Sequence, residues 1–188
     1  MPTPPANPSL LVNKHILAVD DEIDILETIE DILDMATVDT AADFESASAK
    51  IERNRYDLAI LDIMGVNGLE LLEQTVARQI PTVMLTAHAI NEEALMASIA
   101  KGALAYLPKE TLAELDGLLE ALLAAQAKGE PAWKLLFEKL GVYFDERFGN
   151  GWKSKNDRFW KDFDRTYTVS KGIRERLKQD KNLAGKGV

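Results

Sequence analysis

The sequence predicts an α/β fold: a doubly wound, five-stranded parallel sheet of the (βα)5 type, followed by a small α-helical C-terminal extension. Three observations predict it. Between Lys14 and Lys128 the hydrophobic period switches repeatedly between short apolar runs and stretches with apolar residues three and four apart. The short runs are apolar at nearly every position, as in a parallel sheet covered by helices on both faces. Beyond residue 128 the charge balance and the aromatic content change together, which marks a separately built region.

The strands are predicted at His15-Ile16-Leu17-Ala18-Val19, at 36–41, at Leu58-Ala59-Ile60-Leu61, at Thr82-Val83-Met84-Leu85 and at Leu104-Ala105-Tyr106-Leu107. Helices lie between them. Their apolar stripes are Ile25, Ile29, Ile32 and Leu33; Phe44, Ala47 and Ile51; Leu69, Leu72 and Val76; Ala94, Leu95 and Ile99; and Leu112, Leu115, Leu118, Leu119 and Leu122. Gly129-Glu130-Pro131 stops the last of these helices. After it, Trp133, Leu136, Phe137, Leu140 and Phe144 recur at helical spacing, as do Phe159, Trp160, Phe163 and Tyr167, with a weaker Ile173–Leu177 pair. Two or three amphipathic helices are expected over 131–188, with a fraying end at Asn182–Val188. Pro2, Pro4, Pro5 and Pro8 make residues 1–13 a disordered, unpacked leader, so the chain is divided as leader 1–13, α/β domain 14–128 and helical extension 131–188.

The 188 residues suit one ordinary domain with an appendage. The absence of cysteine removes disulfides, thiolate nucleophiles and Cys-ligated zinc. Two histidines, His15 and His88, leave little for a His-based metal site or a Ser-His-Asp triad. There is no run of about 18 apolar residues and no basic stretch leading into an apolar one, so a cytoplasmic chain without a membrane span is expected. The net charge of −9 hides an asymmetry: 7 basic against 22 acidic side chains over 1–127, but 15 against 9 over 128–188.

In a parallel sheet with right-handed crossovers, ligands gather at the carboxyl ends of the strands. The first strand runs into Asp20-Asp21-Glu22, the third into Asp62, the fourth into Thr86 and the fifth into Lys109. Each residue alone has a plain reading, as a helix cap or a solvated lysine. Four strands delivering carboxylates, a hydroxyl and an ammonium to one edge is another matter. Two carboxylates about 4 Å apart repel by roughly 4 kcal/mol at an effective dielectric near 20, so the cluster must bind protons or recruit a cation. All-oxygen donors favour magnesium, beside which a carboxylate can accept a phosphoryl group as an acyl phosphate. No G-x-x-x-x-G-K-[ST] or G-x-G-x-x-G run supports nucleotide binding.

Ile16-Leu17-Ala18-Val19-Asp20-Asp21-Glu22, Leu61-Asp62-Ile63-Met64 with Gly68-Leu69-Glu70-Leu71-Leu72, Met84-Leu85-Thr86-Ala87, and Gly102-Ala103 leading to Tyr106-Leu107-Pro108-Lys109 resemble the receiver domain of two-component response regulators, a flavodoxin-like fold. The resemblance covers residues 14–127 and implies the following roles. Asp62 is the phosphoacceptor for a sensor histidine kinase or phosphotransfer protein. Asp21, Asp62 and the Met64 backbone carbonyl bind Mg2+ directly, with Asp20 acting through water. Lys109 pairs with the phosphoryl oxygens, Thr86 moves to hydrogen-bond the phosphoryl group, and Tyr106 swings inward behind it. The surface of the fourth helix, fifth strand and fifth helix then changes, with a protein target, the tail or a second copy of the chain reading it. Turnover on other substrates is not expected; the phosphoryl chemistry is self-directed.

The sequence departs from that family in three places. Met64-Gly65-Val66-Asn67-Gly68 makes the loop after Asp62 two residues shorter, and proline precedes Lys109 while Glu110 follows it, so no cis bond is assumed there. The loop after Thr86 is one residue longer and contains His88, read as an exposed loop histidine in preference to a neighbour of the phosphoryl group. The tail resembles no output domain. Its aromatic stripes are read as a small helical core or a docking face in preference to a DNA-binding output, whose nearest candidate is Ser170–Lys178. A scaffold that never carries phosphate is the remaining alternative.

Overall fold

The computed structural model describes residues 8–87 and 91–165. The elements alternate as β1 (His15–Val19), α1 (Ile23–Ile32), β2 (Thr37–Ala41), α2 (Phe44–Arg53), β3 (Leu58–Leu61), α3 (Gly68–Ala77), β4 (Thr82–Thr86), α4 (Glu92–Ala100), β5 (Ala105–Pro108), α5 (Leu115–Ala127) and α6 (Ala132–Phe148). All five strands are parallel, in the order β2-β1-β3-β4-β5. The winding reverses between β1 and β3, the place where a doubly wound sheet opens a crevice at its carboxyl edge. β3, β4 and β5 are buried along their whole length, and β1 is buried from Ile16 onward. That explains strand sequences without alternation.

The strands and helices fall where the sequence places them, with shifts of a residue that have local causes. Ala36 closes the turn after α1, its N–H donating to the Leu33 carbonyl, so β2 starts at Thr37. Ile29 and Leu33, the latter just past the end of α1, are buried as expected, while Leu26 is buried where Ile25 and Ile32 are only half-buried. α3 buries Gly68, Leu71, Leu72 and Thr75 and leaves Val76 exposed. Thr75 is tolerated there because its hydroxyl donates to the Leu72 carbonyl and accepts from the Thr82 hydroxyl at 2.7 Å. Leu112 lies in a 3-10 segment, Lys109–Glu114, ahead of α5. Asp43 and Asn91 cap α2 and α4, accepting from the N–H groups of Ser46 and Ala94.

The packed chain begins before Lys14. Of the leader assigned to 1–13, Leu11 is fully buried. The backbone turns back through Val12 N–H to Ser9 and Lys14 N–H to Leu11, and Leu10 N–H reaches Glu120 Oε1 at 3.0 Å. An apolar side chain with its backbone hydrogen bonds satisfied locally has reason to pack, whatever the prolines upstream do.

The chain divides into two compact units, 1–141 and 142–188. Within the first, Gly129 adopts φ +71° after α5, and Gly129 and Glu130 donate to the carbonyls of Gln126 and Ala125, a glycine-terminated helix end. α6 then buries Ala132, Trp133 and Leu136, and the Trp133 indole donates to the Ala103 carbonyl at 2.9 Å. Ala103 ends the turn that feeds β5. Within the second unit, Phe144, Trp152 and Trp160 are buried around Phe148 and Phe159, and the Trp152 indole donates to Asp145 Oδ1 at 2.9 Å. Residues 157–165 are helical. The aromatic stripes there form a small core, with Lys153 over the Trp152 and Trp160 rings. His88, Tyr167, the Ile173–Leu177 pair, Ser170–Lys178 and Asn182–Val188 lie outside the described residues.

The Trp133 anchor generates one expectation. Trp133→Phe keeps an aromatic ring but leaves the buried Ala103 carbonyl without its indole donor, at a cost of about 1–3 kcal/mol. Trp133→Ala also opens a cavity and costs about 3–5 kcal/mol. Urea denaturation followed by circular dichroism measures both.

Candidate functional site

Backbone pairing places the first two carboxylates. Asp62 N–H donates to the Val19 carbonyl at 2.9 Å and Asp20 N–H to the Ala41 carbonyl at 3.2 Å, so the residues just beyond β1 and β3 leave the sheet side by side. Carboxylate oxygens of Asp20, Asp21 and Asp62 lie within 4.8 Å of one another. Asp20 and Asp62 are buried, whereas Asp21 is exposed at the mouth. Asp62 Oδ1 accepts from the Ile63 N–H at 2.8 Å, and Asp20 Oδ1 from the Glu22 N–H at 2.9 Å.

Lys109 follows β5 directly and reaches into this cluster. Its Nζ lies 2.8 Å from Asp20 Oδ2, 3.0 Å from Glu22 Oε1 and 3.4 Å from Asp62 Oδ2. Burial and the neighbouring negative charge of Asp20 push the Asp62 carboxyl above its ordinary range, against the opposing pull of Lys109 and the Ile63 N–H. Burial by itself would lower the Lys109 ammonium, but its bonds to Asp20 and Glu22 and the charges of Asp62 and Asp20 raise it. Lys109 stays charged, and Asp62 resists being so.

Thr86 and Tyr106 are both fully buried. Thr86 pairs in register with Pro108, and Met84 with Tyr106, so Thr86 and Tyr106 project from one face on neighbouring strands. Tyr106 already occupies an inward position. Met64, the second residue after Asp62, is 55% exposed in the loop. Among the described residues no peptide bond is cis, including the one before Glu110.

The shortened loop closes against the site itself. Gly68 N–H donates to the Ile63 carbonyl at 3.0 Å, Val66 is fully buried, and Asn67 takes φ +52° just before α3. Gly65 has φ +78°, and a Cβ there would overlap the Asp21 carboxylate; a Cβ on Gly68 would overlap the Asp62 carbonyl. The loop backbone therefore forms one wall of the carboxylate cluster. Sequence reasoning gave no part to Gly65, although its place in an abbreviated loop was a signal, and none to Glu22 beyond its membership of an acidic run.

The donor set fits a hard divalent ion: oxygens only, two of the three carboxylates buried, with a backbone wall at contact distance. Asp20, Asp21 and Asp62 could hold it. Asp62 also has a cation beside it, with Lys109 Nζ 3.4 Å from Oδ2 while Oδ1 accepts from the Ile63 N–H.

The model of a family described as the response regulator receiver domain matches residues 16–122. The alkaline phosphatase synthesis transcriptional regulatory protein PhoP of Bacillus subtilis (strain 168) is 38% identical over 82 residues, 40% of this chain and 34% of that protein. The regulatory protein VanRB of Enterococcus faecalis (strain ATCC 700802 / V583) is 39% identical over 88 residues, 44% of this chain and 40% of that protein. The chain thus spans well under half the length of either relative. A CheY-like response regulator receiver domain protein from Methanospirillum hungatei JF-1 is similar in structure, with a TM-score of 0.54 at 31% identity, over 62% of this chain and 98% of that one.

Two expectations follow from the geometry. Because the folded state holds Asp62 above its ordinary range, this group favours the fold at low pH and loses that contribution as pH rises through its raised value. Asp62→Asn should therefore raise Tm at pH 7 in the presence of a chelator and flatten the pH dependence of stability, as read by calorimetry from pH 4 to 8. Gly65→Ala should cost about 1–3 kcal/mol through its left-handed φ and weaken divalent-cation binding by displacing Asp21. Gly117→Ala, where a Cβ meets nothing within 4 Å, is the control and should be neutral or stabilising.

Proposed function

We propose that this chain, which belongs to the response regulator receiver family, is a phosphorylation-controlled signalling protein with Asp62 as its phosphoacceptor. The observation that carries this reading is the meeting of the Asp20, Asp21 and Asp62 carboxylates with the Lys109 ammonium at one edge of the sheet. The donor is a histidine kinase or a phosphotransfer protein.

In the transfer, an oxygen of the ionised Asp62 carboxylate forms a bond to phosphorus. The bond from phosphorus to the donor's imidazole nitrogen breaks, and its electron pair leaves with the imidazole. Asp21, Asp62 and the Met64 carbonyl, with Asp20 through water, would hold magnesium, whose positive charge would offset the crowded carboxylates and the phosphoryl oxygens. Lys109 keeps its proton and offers its N–H groups to the phosphoryl oxygens from the β5 side. Burial raises the energy of the ionised Asp62, and a nearby cation restores the nucleophilic form. Water later cleaves the acyl phosphate, so the only reaction is on the chain itself.

Thr86 and Tyr106 share a face on adjacent strands, which supports a coupled movement. A phosphoryl group on Asp62 that draws the Thr86 hydroxyl toward it favours the state in which Tyr106 fills the space behind, the inward position that Tyr106 already holds here. The α4–β5–α5 surface then presents a different shape to the tail, to a protein target or to a second copy of the chain. The abbreviated loop beside Asp62 sets access to the site and the lifetime of the acyl phosphate. Among the described residues no helix is long and apolar enough to cross a membrane.

Incubation of the full chain with magnesium and acetyl phosphate tests the central step. Intact-mass spectrometry should show the gain of one phosphoryl group, lost in Asp62→Asn and on adding a chelator. A chain that gains nothing under conditions that label an ordinary receiver would be a scaffold instead.

A further inference from the structure

We propose that Glu22 is a positioning residue for Lys109, holding the ammonium so that Asp20 can turn to a divalent cation while Lys109 stays beside Asp62. The inference rests on the phosphoryl-transfer reading above and concerns a residue outside its ligand set.

An ammonium has three N–H donors, and Lys109 Nζ faces three carboxylates. Asp20 is the closest at 2.8 Å, Glu22 follows at 3.0 Å, and Asp62 is farthest at 3.4 Å. The closest partner is thus a carboxylate of the cation site. Where Asp20 turns to the water of an ion held by Asp21 and Asp62, its carboxylate is shared between that water and Lys109, and the Lys109–Asp20 contact weakens. The Lys109 side chain is only 8% exposed, so without another partner it would be a nearly buried cation beside a second cation. Glu22 is built to prevent this. Its carboxylate is not among the three that converge, and its side chain is 53% exposed, so it contributes charge from the rim of the site.

The Glu22 side chain is not used to cap its helix. Glu22 is the N-cap of α1, a position that favours Ser, Thr, Asp or Asn, yet its side chain makes no capping bond. The carboxylate goes to Lys109 instead. Its backbone N–H donates to Asp20 Oδ1 at 2.9 Å, so Glu22 touches both members of the pair that must separate. Glu22 acts by position and charge.

The test is a double-mutant cycle on the full chain, with magnesium affinity read by isothermal titration calorimetry. The proteins are wild type, Glu22→Gln, Lys109→Met and the double variant, with Lys109→Gln as a second background should the methionine variant not fold. Glu22→Gln should weaken magnesium binding about threefold when Lys109 is present and leave it unchanged when Lys109 is absent. An equal loss in both backgrounds would show Glu22 acting on the ion directly by charge, and no loss in either would show no action at all. Either result overturns the proposal while leaving the phosphoacceptor reading intact. Wild-type protein that takes up no magnesium would instead remove the cation site, and this proposal with it.

Discussion

The pairing of β1 with β3 is the constraint on which the site depends. Val19 and Leu61 are partners in the ladder, and Asp62 N–H is bonded to the Val19 carbonyl. Whatever follows those two strand ends must emerge a few ångströms apart, and here both are aspartates. The parallel sheet thereby imposes an electrostatic conflict that no local rearrangement can relieve, because a shift in register would break the ladder and move buried side chains to the wrong face. Apolar packing of the strands supplies the stability that tolerates it. The raised Asp62 carboxyl is the visible sign of the conflict, and Lys109, arriving from the far edge on β5, is the part of the fold that answers it.

Two glycines show how closely the remaining wall is drawn. In a longer loop after Asp62 the backbone would have room to arch away from the carboxylates. Here Gly68 lies so close to the Asp62 carbonyl that it has no space for a methyl group, and a methyl on Gly65 would have to push the Asp21 carboxylate aside. Val66 is buried beneath them and Met64 is turned outward, so the short loop is anchored by one side chain and exposes the next but one before it. Loop length, which alters no donor atom, has become part of the geometry of the donor set.

The region after α5 is built on a different principle. Its charge is basic and its cores are aromatic. Trp133 attaches the start of α6 to the turn before β5, the strand that carries Tyr106 and leads into Lys109. From Val142 onward a second, smaller group of rings, Phe144, Trp152 and Trp160, is packed together with its own indole-to-carboxylate bond. Large rings bury much area per residue, which suits a unit too short to assemble an aliphatic core.

Much of the fold could be read from residues alone, because period and polarity are local properties. Five apolar runs, the glycine-proline stop after α5, and Asp20, Asp62, Thr86 and Lys109 at strand ends were all legible. Thr75 in the α3 core was not, since its burial depends on a hydroxyl partner seven residues away on β4. Leu11 was hidden by the prolines before it, and its burial depends on what the rest of the domain offers it.

Sequence by itself determined which chemical groups reach the carboxyl edge, since strand order and right-handed crossover leave few other placements. Only the tertiary structure decided how Lys109 divides itself among Asp20, Glu22 and Asp62, and that Gly65 forms a wall against Asp21. Those are distances of a few ångströms between residues far apart in the chain. Such distances are settled by packing and charge balance in the assembled fold, about which hydrophobic period and motif spacing carry no information.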